Sequence, residues 1–153
     1  KDENVIKQWK ENRDKSNYIK NISDETLIQN KLLRYNFNQV ENTNTLKVSS
    51  NLTEVRHLAT GFMMIRRETI DCMQQAFPST KYIDDIGFLK GTENDHAFAL
   101  FDCGVEVGHY FSEDWLFSQR WVNMGGKVMV DITINLTHTG IQDFRGSFLA
   151  SLL

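Results

Sequence analysis

The sequence predicts a mixed α/β domain, a sheet with flanking helices, on three observations. Short runs in which polar and apolar residues alternate, as at 35–39, are typical of strands. The stretch 66–77 carries apolar residues at helical spacing and ends at Pro78, as an amphipathic helix does. The two kinds of element interleave without strict alternation, which favours a mixed sheet.

Composition limits the classes of protein that the chain can belong to. It has 153 residues, of which 41% are hydrophobic and 24% charged, as is ordinary for one globular domain. The net charge of -3 argues against a nucleic-acid or anionic-membrane partner. No apolar run approaches the ~20 residues that span a bilayer, and the first 15 residues lack the apolar core of a signal peptide. We therefore expect a cytoplasmic protein without a membrane span, whose Cys72 and Cys103 are reduced and buried.

Two regions differ in composition. Residues 1–54 are rich in Asn, Lys and Thr and are predicted to form a peripheral segment, whereas residues 55–153 are denser in apolar residues. The elements predicted in the first region are helices up to about residue 13 and over 23–33, and strands over 35–39 and about 45–48. Those predicted in the second are strands over 55–58, 97–101, 127–130 and 132–136, helices over 66–77 and from Ser112 to Gly125, an exposed loop over 81–95 and a tail over 141–153 that packs on the body.

Glu113 and Asp114 open the second of these helices, directly after Ser112. Acids in a first turn interact favourably with the helix dipole, by ~0.3–1 kcal/mol, and Ser112 is a typical N-cap, so capping alone accounts for them. The functional alternative is a carboxylate that takes a proton from an acceptor hydroxyl. Trp115 beside them can pack in the core or stack on a sugar ring.

Two further sites have a structural and a functional interpretation. His138 follows a predicted strand, where it can be a hydrogen-bonded structural residue or a metal ligand that needs partners from elsewhere. Thr60 and Gly61 can form a plain turn, or they can let the backbone approach a ligand closely. The sequence contains none of the patterns GxxxxGK[ST], GxGxxG and GxSxG, so it supports neither a P-loop nor a serine hydrolase.

Four strings, in the order ATGFMMIRRE, SEDWLFSQRW, GGKVMVD and LTHTG, are more specific together than any one alone. They resemble the C-terminal half of a GT-A-type glycosyltransferase, of the sort encoded by large DNA viruses and phages, over about residues 55–148. The resemblance implies a metal-dependent transfer from a nucleotide-sugar donor, such as a UDP-sugar, to a hydroxyl of a carbohydrate or protein acceptor. It also implies Mn²⁺ or Mg²⁺ on the nucleotide diphosphate and, for a viral protein, the host cytoplasm.

The resemblance also implies roles for single residues. Thr60 and Gly61 would flank the donor sugar, and His138 would be the metal ligand. Glu113 and Asp114 would be the acidic pair, with Asp114 as the general base, and Trp115 would contact substrate. A direct displacement assisted by a carboxylate makes inversion the expected stereochemistry, and the helix tip and His138 are predicted to share one open cleft.

The sequence departs from such enzymes at the donor side. They bind the nucleotide with an N-terminal Rossmann-like half that ends in an Asp-x-Asp motif, and this sequence contains neither. We therefore expect the chain to be the C-terminal part of a longer polypeptide, or a fragment without donor binding, that is nearly inactive alone. The alternative is a non-catalytic glycan-binding or assembly module that keeps the fold. An exposed sheet edge in a half-fold predicts a tendency to form a homo-oligomer.

Overall fold

The computed structural model describes residues 35–40, 45–141 and 144–152, and this part of the chain is mixed α/β, as predicted. Its strands are β1 (Phe37–Gln39), β2 (Val48–Ser49), β3 (Leu52–Leu58), β4 (Gly104–Glu106), β5 (His109–Phe111), β6 (Val128–Asp131), β7 (Leu136–His138) and β8 (Phe144–Gly146). Its helices are α1 (Arg67–Ala76), α2 (Glu113–Asn123) and α3 (Phe148–Leu152). The two helices predicted before residue 34 lie outside the described residues. Within the described ranges, no helix is long and apolar enough to cross a membrane.

The chain forms two compact units, which we describe separately. The larger unit contains residues 36–47 and 54–130, and the smaller contains Tyr35, residues 48–53 and the chain from Asp131 onward. The predicted boundary after residue 54 stays a prediction, because much of the segment before it lies outside the described residues.

The sheet of the larger unit is built on β3. β1 lies antiparallel to it, with Asn38 opposite His57, and β6 also pairs with it. Along β3, Val55 and His57 are buried while Glu54 and Arg56 are exposed. This alternation follows from the two-residue period of a strand, and it places a histidine on the inward face.

The core of the larger unit lies between α1 and α2. Its buried centre is Met73, Leu100 and Phe117, against which Ile65, Ile70, Phe77, Phe98 and Trp121 pack. The apolar face predicted for the helix over 66–77, which is α1, is therefore confirmed. Phe101 stacks on Phe117 with ring centroids 4.2 Å apart. Burying side chains of this size stabilises the fold by roughly 1.5–3 kcal/mol each, so these contacts fix α2 against α1.

Four predictions about the described residues before Gly104 are wrong. Residues 97–101 are not a strand: Phe98 makes a single bridge to Lys81, while Ala97 and Leu100 are buried at a spacing of three. The run is apolar because it covers the core, not because it belongs to a sheet. The second predicted strand of the peripheral segment begins later, at Val48, and the third begins earlier, at Leu52. Cys72 and Cys103 are free, but both are exposed.

The predicted loop over 81–95 is irregular except for a 3-10 turn at Gly91–His96. Asp84 organises it. Its carboxylate accepts hydrogen bonds from the backbone N–H groups of Ile86 at 3.1 Å and Leu89 at 2.6 Å. These bonds, led by that from Leu89, hold the pKa of Asp84 below its usual range. The loop is thus fixed from within, although Ile83, Ile86 and Phe88 are exposed.

The smaller unit consists of two hairpins and α3. β2 pairs with the start of β3 across a two-residue turn, and β7 pairs with β8. The strand predicted over 132–136 is wrong in its bounds, because Asp131 accepts hydrogen bonds from the backbone N–H (2.9 Å) and hydroxyl (2.6 Å) of Thr133. That local turn ends β6 and delays β7 to Leu136. The tail packs within this unit, where Phe148 lies 4.9 Å from Tyr35 between ring centroids.

Candidate functional site

The tip of α2 holds a buried carboxylate, that of Asp114, which is 8% exposed. Its Oδ1 accepts hydrogen bonds from the Ser112 hydroxyl at 2.5 Å and from the Trp115 backbone N–H at 2.8 Å. Ser112 occupies the predicted N-cap position. Its hydroxyl, however, accepts no hydrogen bond from a backbone N–H of the helix, so the predicted side-chain cap is absent there. Of the hydrogen bonds that the described residues make, none ends on Oδ2. Oδ1 therefore anchors the side chain.

Glu113 differs from its neighbour. It is exposed, and it makes no hydrogen bond or ion pair with the described residues. Its charge contributes to raising the pKa of Tyr110, an effect led by the hydrogen bond between Tyr110 and Cys103. The two acids of the predicted pair thus face different surroundings, and only Asp114 is held in a fixed orientation.

Trp115 is half-buried, and one face of its indole is covered. The imidazole of His57 lies parallel to it, with ring centroids 4.8 Å apart and an interplanar angle of 5°. Phe111 packs against the same imidazole at 6.0 Å. Because Trp115 also donates its backbone N–H to Asp114, the indole, the carboxylate and the imidazole belong to one packed group.

His57 stands in a chain of side-chain hydrogen bonds. The Asn38 amide nitrogen lies 3.0 Å from His57 Nδ1, and His57 Nε2 lies 3.0 Å from Gln119 Oε1. The amide of Gln119 in turn donates to Asn123 at 2.7 Å. An amide nitrogen only donates and an amide oxygen only accepts, so Nδ1 is the acceptor and Nε2 carries the proton. Both nitrogens of a neutral His57 imidazole therefore have a matching hydrogen-bond partner.

The electrostatics of His57 favour the same state. Burial is the main cause that lowers its pKa from the ordinary value of 6.5, and Arg56 adds to the effect. The hydrogen bond to Gln119 and the carboxylate of Asp114 act in the opposite direction without cancelling it. The imidazole beside the Asp114 carboxylate is therefore uncharged at neutral pH.

Arg120 anchors the other end of α2. Its guanidinium donates to Asp102 at 2.6 Å and to Glu106 at 3.1 Å, and it lies over the Phe77 ring at 5.2 Å. The arginine side chain is 10% exposed, and the two carboxylates are more than a third exposed. A buried arginine is retained only when its charge is paired, so this cluster ties α2 to β4 and to the segment before it.

Thr60 and Gly61 lie in a 3-10 turn, Thr60–Phe62, directly after β3. Gly61 is exposed, its backbone does not need glycine, and a Cβ added there would meet nothing within 4 Å. The surface is open at this point. Neither packing nor backbone conformation therefore requires a glycine at position 61.

His138 ends β7 in the smaller unit and is exposed, whereas Asp114 and Trp115 belong to the larger unit. The shared cleft stays a prediction. Among the residues that the structure describes, no group of three or more His, Cys, Asp and Glu side chains could hold a metal ion. One exposed imidazole does not make a Mn²⁺ or Mg²⁺ site, since these ions need several oxygen ligands. His138 could serve only as one ligand among others supplied from elsewhere.

Comparisons of the chain with protein-family models, with curated proteins and with solved structures find no match. The site is therefore interpreted from its own geometry. That geometry places His57 against Trp115, next to Asp114, whereas the sequence analysis selected Asp114 and Trp115 but not His57. The alternation of Thr53, Val55 and His57 with charged residues was the signal that could have placed His57 inward.

Proposed function

We propose that the chain is the acceptor-side part of a nucleotide-sugar-dependent glycosyltransferase and that Asp114 is its general base. The observation that carries the proposal concerns the two oxygens of the Asp114 carboxylate: Ser112 and Trp115 donate to Oδ1, whereas no described residue donates to Oδ2. A general base needs a fixed direction and one unengaged oxygen within hydrogen-bond reach of its proton. The resemblance of the four sequence strings supports the same assignment.

The transfer follows from this arrangement. An acceptor hydroxyl gives its proton to Oδ2 of Asp114 while its oxygen forms a bond to the anomeric carbon of the donor. The bond from that carbon to the nucleotide diphosphate breaks, and the diphosphate leaves with the electron pair. Attack opposite to the leaving group inverts the anomeric centre. Since one carboxylate suffices for such a displacement, no covalent glycosyl-enzyme is needed.

Trp115 is the second residue of the proposed acceptor site. Aromatic rings supply flat apolar area at little cost in conformational entropy, and His57 holds this one from one side. We expect a sugar acceptor to use the remaining exposed part of the indole. The donor side would include the turn at Thr60 and Gly61, and we place the reaction in the cytoplasm.

Mn²⁺ or Mg²⁺ enters the proposal only through the resemblance. When bound, such an ion would neutralise charge on the leaving diphosphate. His138 would be one of its ligands, and the oxygens of the diphosphate and of a further nucleotide-binding segment would be the others. The described residues do not complete that set, so no step above is derived through the metal.

The test measures sugar transfer from UDP-sugars, with Mn²⁺, to a panel of carbohydrate acceptors. The protein used is the longest polypeptide that contains this chain. Asp114→Asn keeps the size and the Oδ1 acceptor but removes the base, and we expect kcat to fall ~10²–10⁴-fold. Glu113→Gln makes the same charge change on the neighbouring exposed acid, and we expect a smaller loss. An Asp114→Asn variant that is as active as the wild type, with circular dichroism unchanged, would remove Asp114 as the base.

A binding module remains the second candidate, because the held indole of Trp115 would serve glycan binding without chemistry. Isothermal titration separates the two functions. Acceptor binding that Trp115→Ala abolishes, without transfer by any form of the protein, would favour the module.

A further inference from the structure

One buried group at the site has no part in the proposed transfer: the imidazole of His57. Its ring covers Trp115, and the carboxylate of Asp114 acts to raise its pKa against the larger effect of burial. Each of its two nitrogens has a hydrogen-bond partner. Histidines with both nitrogens engaged have one orientation and one tautomer, so the indole in contact with it is also fixed.

We propose that His57 is a positioning residue which, as a neutral imidazole held between Asn38 and Gln119, fixes the indole of Trp115 and through it the carboxylate of Asp114. The inference rests on the proposed function. The path is short: the imidazole stacks on the indole at 4.8 Å, and the backbone N–H of the same tryptophan donates to Asp114 Oδ1 at 2.8 Å. A displacement of Trp115 as a whole would move this N–H group and the carboxylate that it holds.

The same geometry makes the arrangement sensitive to pH. A protonated imidazole would carry a donor on both nitrogens, so Nδ1 could no longer accept from the Asn38 amide. It would also place a positive charge next to Asp114 and reduce the tendency of that carboxylate to take a proton. Both changes oppose transfer, and we expect activity to fall at acidic pH as His57 gains its proton.

The groups that face His57 come from three elements, and Asp114 is the charged one among them. They are Asn38 of β1, Phe111 of β5, and Asp114, Trp115 and Gln119 of α2. Arg56 lies on the opposite, exposed face of β3 and acts on His57 through its charge. Gln119 is the neutral partner at Nε2. It is therefore the position at which one substitution can change the charge state of His57 without touching the stack.

Gln119→Glu is the deciding variant. A carboxylate in place of the amide oxygen still accepts from Nε2 and stabilises the imidazolium, and an opposite charge at this distance raises a pKa by ~1–3 units. In a plot of kcat against pH, we call the fall of activity at acidic pH the acid limb. We expect this acid limb to move to higher pH in Gln119→Glu, by the same amount as the increase in the His57 pKa that NMR measures. His57→Phe keeps a flat ring against Trp115 but cannot titrate, and we expect the part of the acid limb that follows the His57 pKa to disappear.

His109→Gln is the matched control, because His109 is an exposed histidine near Phe111 and should not move the limb. An acid limb that stays in place while NMR shows a raised His57 pKa in Gln119→Glu would overturn the inference and leave the proposed function intact. An unchanged His57 pKa would also overturn it, because the hydrogen bond to position 119 would then be wrong. No transfer at any pH by the longest wild-type polypeptide that contains this chain would overturn the proposed function and this inference together.

Discussion

The indole of Trp121 lies directly over Gly126: a Cβ at position 126 would be 2.0 Å from Cε2 of the indole. The contact is part of the way α2 ends. The N–H of Gly126 donates to the Trp121 carbonyl at 3.0 Å, and the N–H of Gly125 donates to the Val122 carbonyl at 2.9 Å. This is a Schellman ending, with the indole nitrogen further held by the Lys127 carbonyl at 3.2 Å.

Gly126→Ala should destabilise the fold through this overlap. The indole must move to admit the methyl group, and overpacking of this kind costs roughly 1–3 kcal/mol. For a chain of this length we expect Tm to fall by roughly 2–4 °C per kcal/mol. Thermal unfolding followed by circular dichroism measures the change.

Gly125→Ala is the matched control for that prediction. Its penalty comes from the left-handed backbone at Gly125, with φ of 88°, and not from a contact. Replacing Trp121 with Leu should therefore reduce the penalty of Gly126→Ala and leave that of Gly125→Ala unchanged. Equal behaviour of the two glycines in a double-mutant cycle would contradict the steric explanation.

Arg120→Ala should cost more than any exposed charge substitution. It removes the guanidinium that pairs with Asp102 and Glu106, and the loss of one partner from a buried pair costs roughly 3–5 kcal/mol. Because both carboxylates are partly exposed, water can solvate them, and we expect the lower end of that range. Arg120→Lys keeps the charge but not the two-pronged geometry of the guanidinium. Its free energy of unfolding, measured with urea, should lie between those of Arg120→Ala and the wild type. An alanine variant as stable as the lysine variant would show that the pairing contributes little.

Local signals explain which elements could be predicted. α2 begins at Glu113 and ends just before Gly125, where the sequence places it, because acids in the first turn and a terminal glycine act within a few residues. The apolar face of α1 followed from helical periodicity for the same reason. The run over 97–101 was misassigned, because an unbroken apolar stretch shows burial and does not distinguish a strand from a loop that covers the core.

The candidate site could be predicted only in part. Asp114 was selected from its place at a helix tip and from the resemblance, both of which are properties of a short string. The contact of His57 with α2 joins residues far apart in the sequence, since Gln119 follows His57 by 62 residues. No local pattern specifies such a pair, because it arises from how β3 packs on α2. A single sequence therefore draws attention to Asp114 but not to the imidazole of His57, which packs on the neighbouring Trp115.

Gly61→Ala should leave the fold unchanged and weaken the donor site. The added methyl group meets nothing within 4 Å, and the backbone is not left-handed, so we expect stability within about 0.5 kcal/mol of the wild type. If the donor approaches the backbone at Thr60 and Gly61, the methyl group would obstruct it and raise the KM for the nucleotide-sugar about tenfold, or 1.4 kcal/mol.

Gly104→Ala is the corresponding control. It too has open space and needs no left-handed backbone, but it lies at the start of β4, away from the proposed donor turn in the sequence. Kinetics with varied donor concentration measure both variants. The same KM for Gly61→Ala as for Gly104→Ala would exclude Gly61 from the donor site.

The loop around Asp84 should lose its order in acid. Backbone hydrogen bonds lower the pKa of Asp84, so the folded loop binds its proton less tightly than the unfolded chain does. The stabilisation is then complete above the ordinary value of 3.8 and is lost as pH falls through the lower pKa of the folded state. Hydrogen exchange of the Ile86 and Leu89 amides measures it. Asp84→Ala should remove the protection at every pH, Asp85→Ala should not, and protection that persists in Asp84→Ala would contradict this account.

Val107 occupies a position that its side chain disfavours, and replacing it should stabilise the chain. It forms the two-residue turn between β4 and β5 with Gly108, at φ of 51° and 79°, and it is 98% exposed. A left-handed residue with a Cβ costs roughly 1–2 kcal/mol, and asparagine before glycine is the preferred pair for such turns. We expect Val107→Asn to raise the free energy of unfolding by about 1 kcal/mol, whereas Val107→Ile keeps the branched Cβ and should give no gain. Equal stability of the two variants in urea unfolding would show that the strain is absent, and a gain confined to the asparagine variant would locate it in the turn.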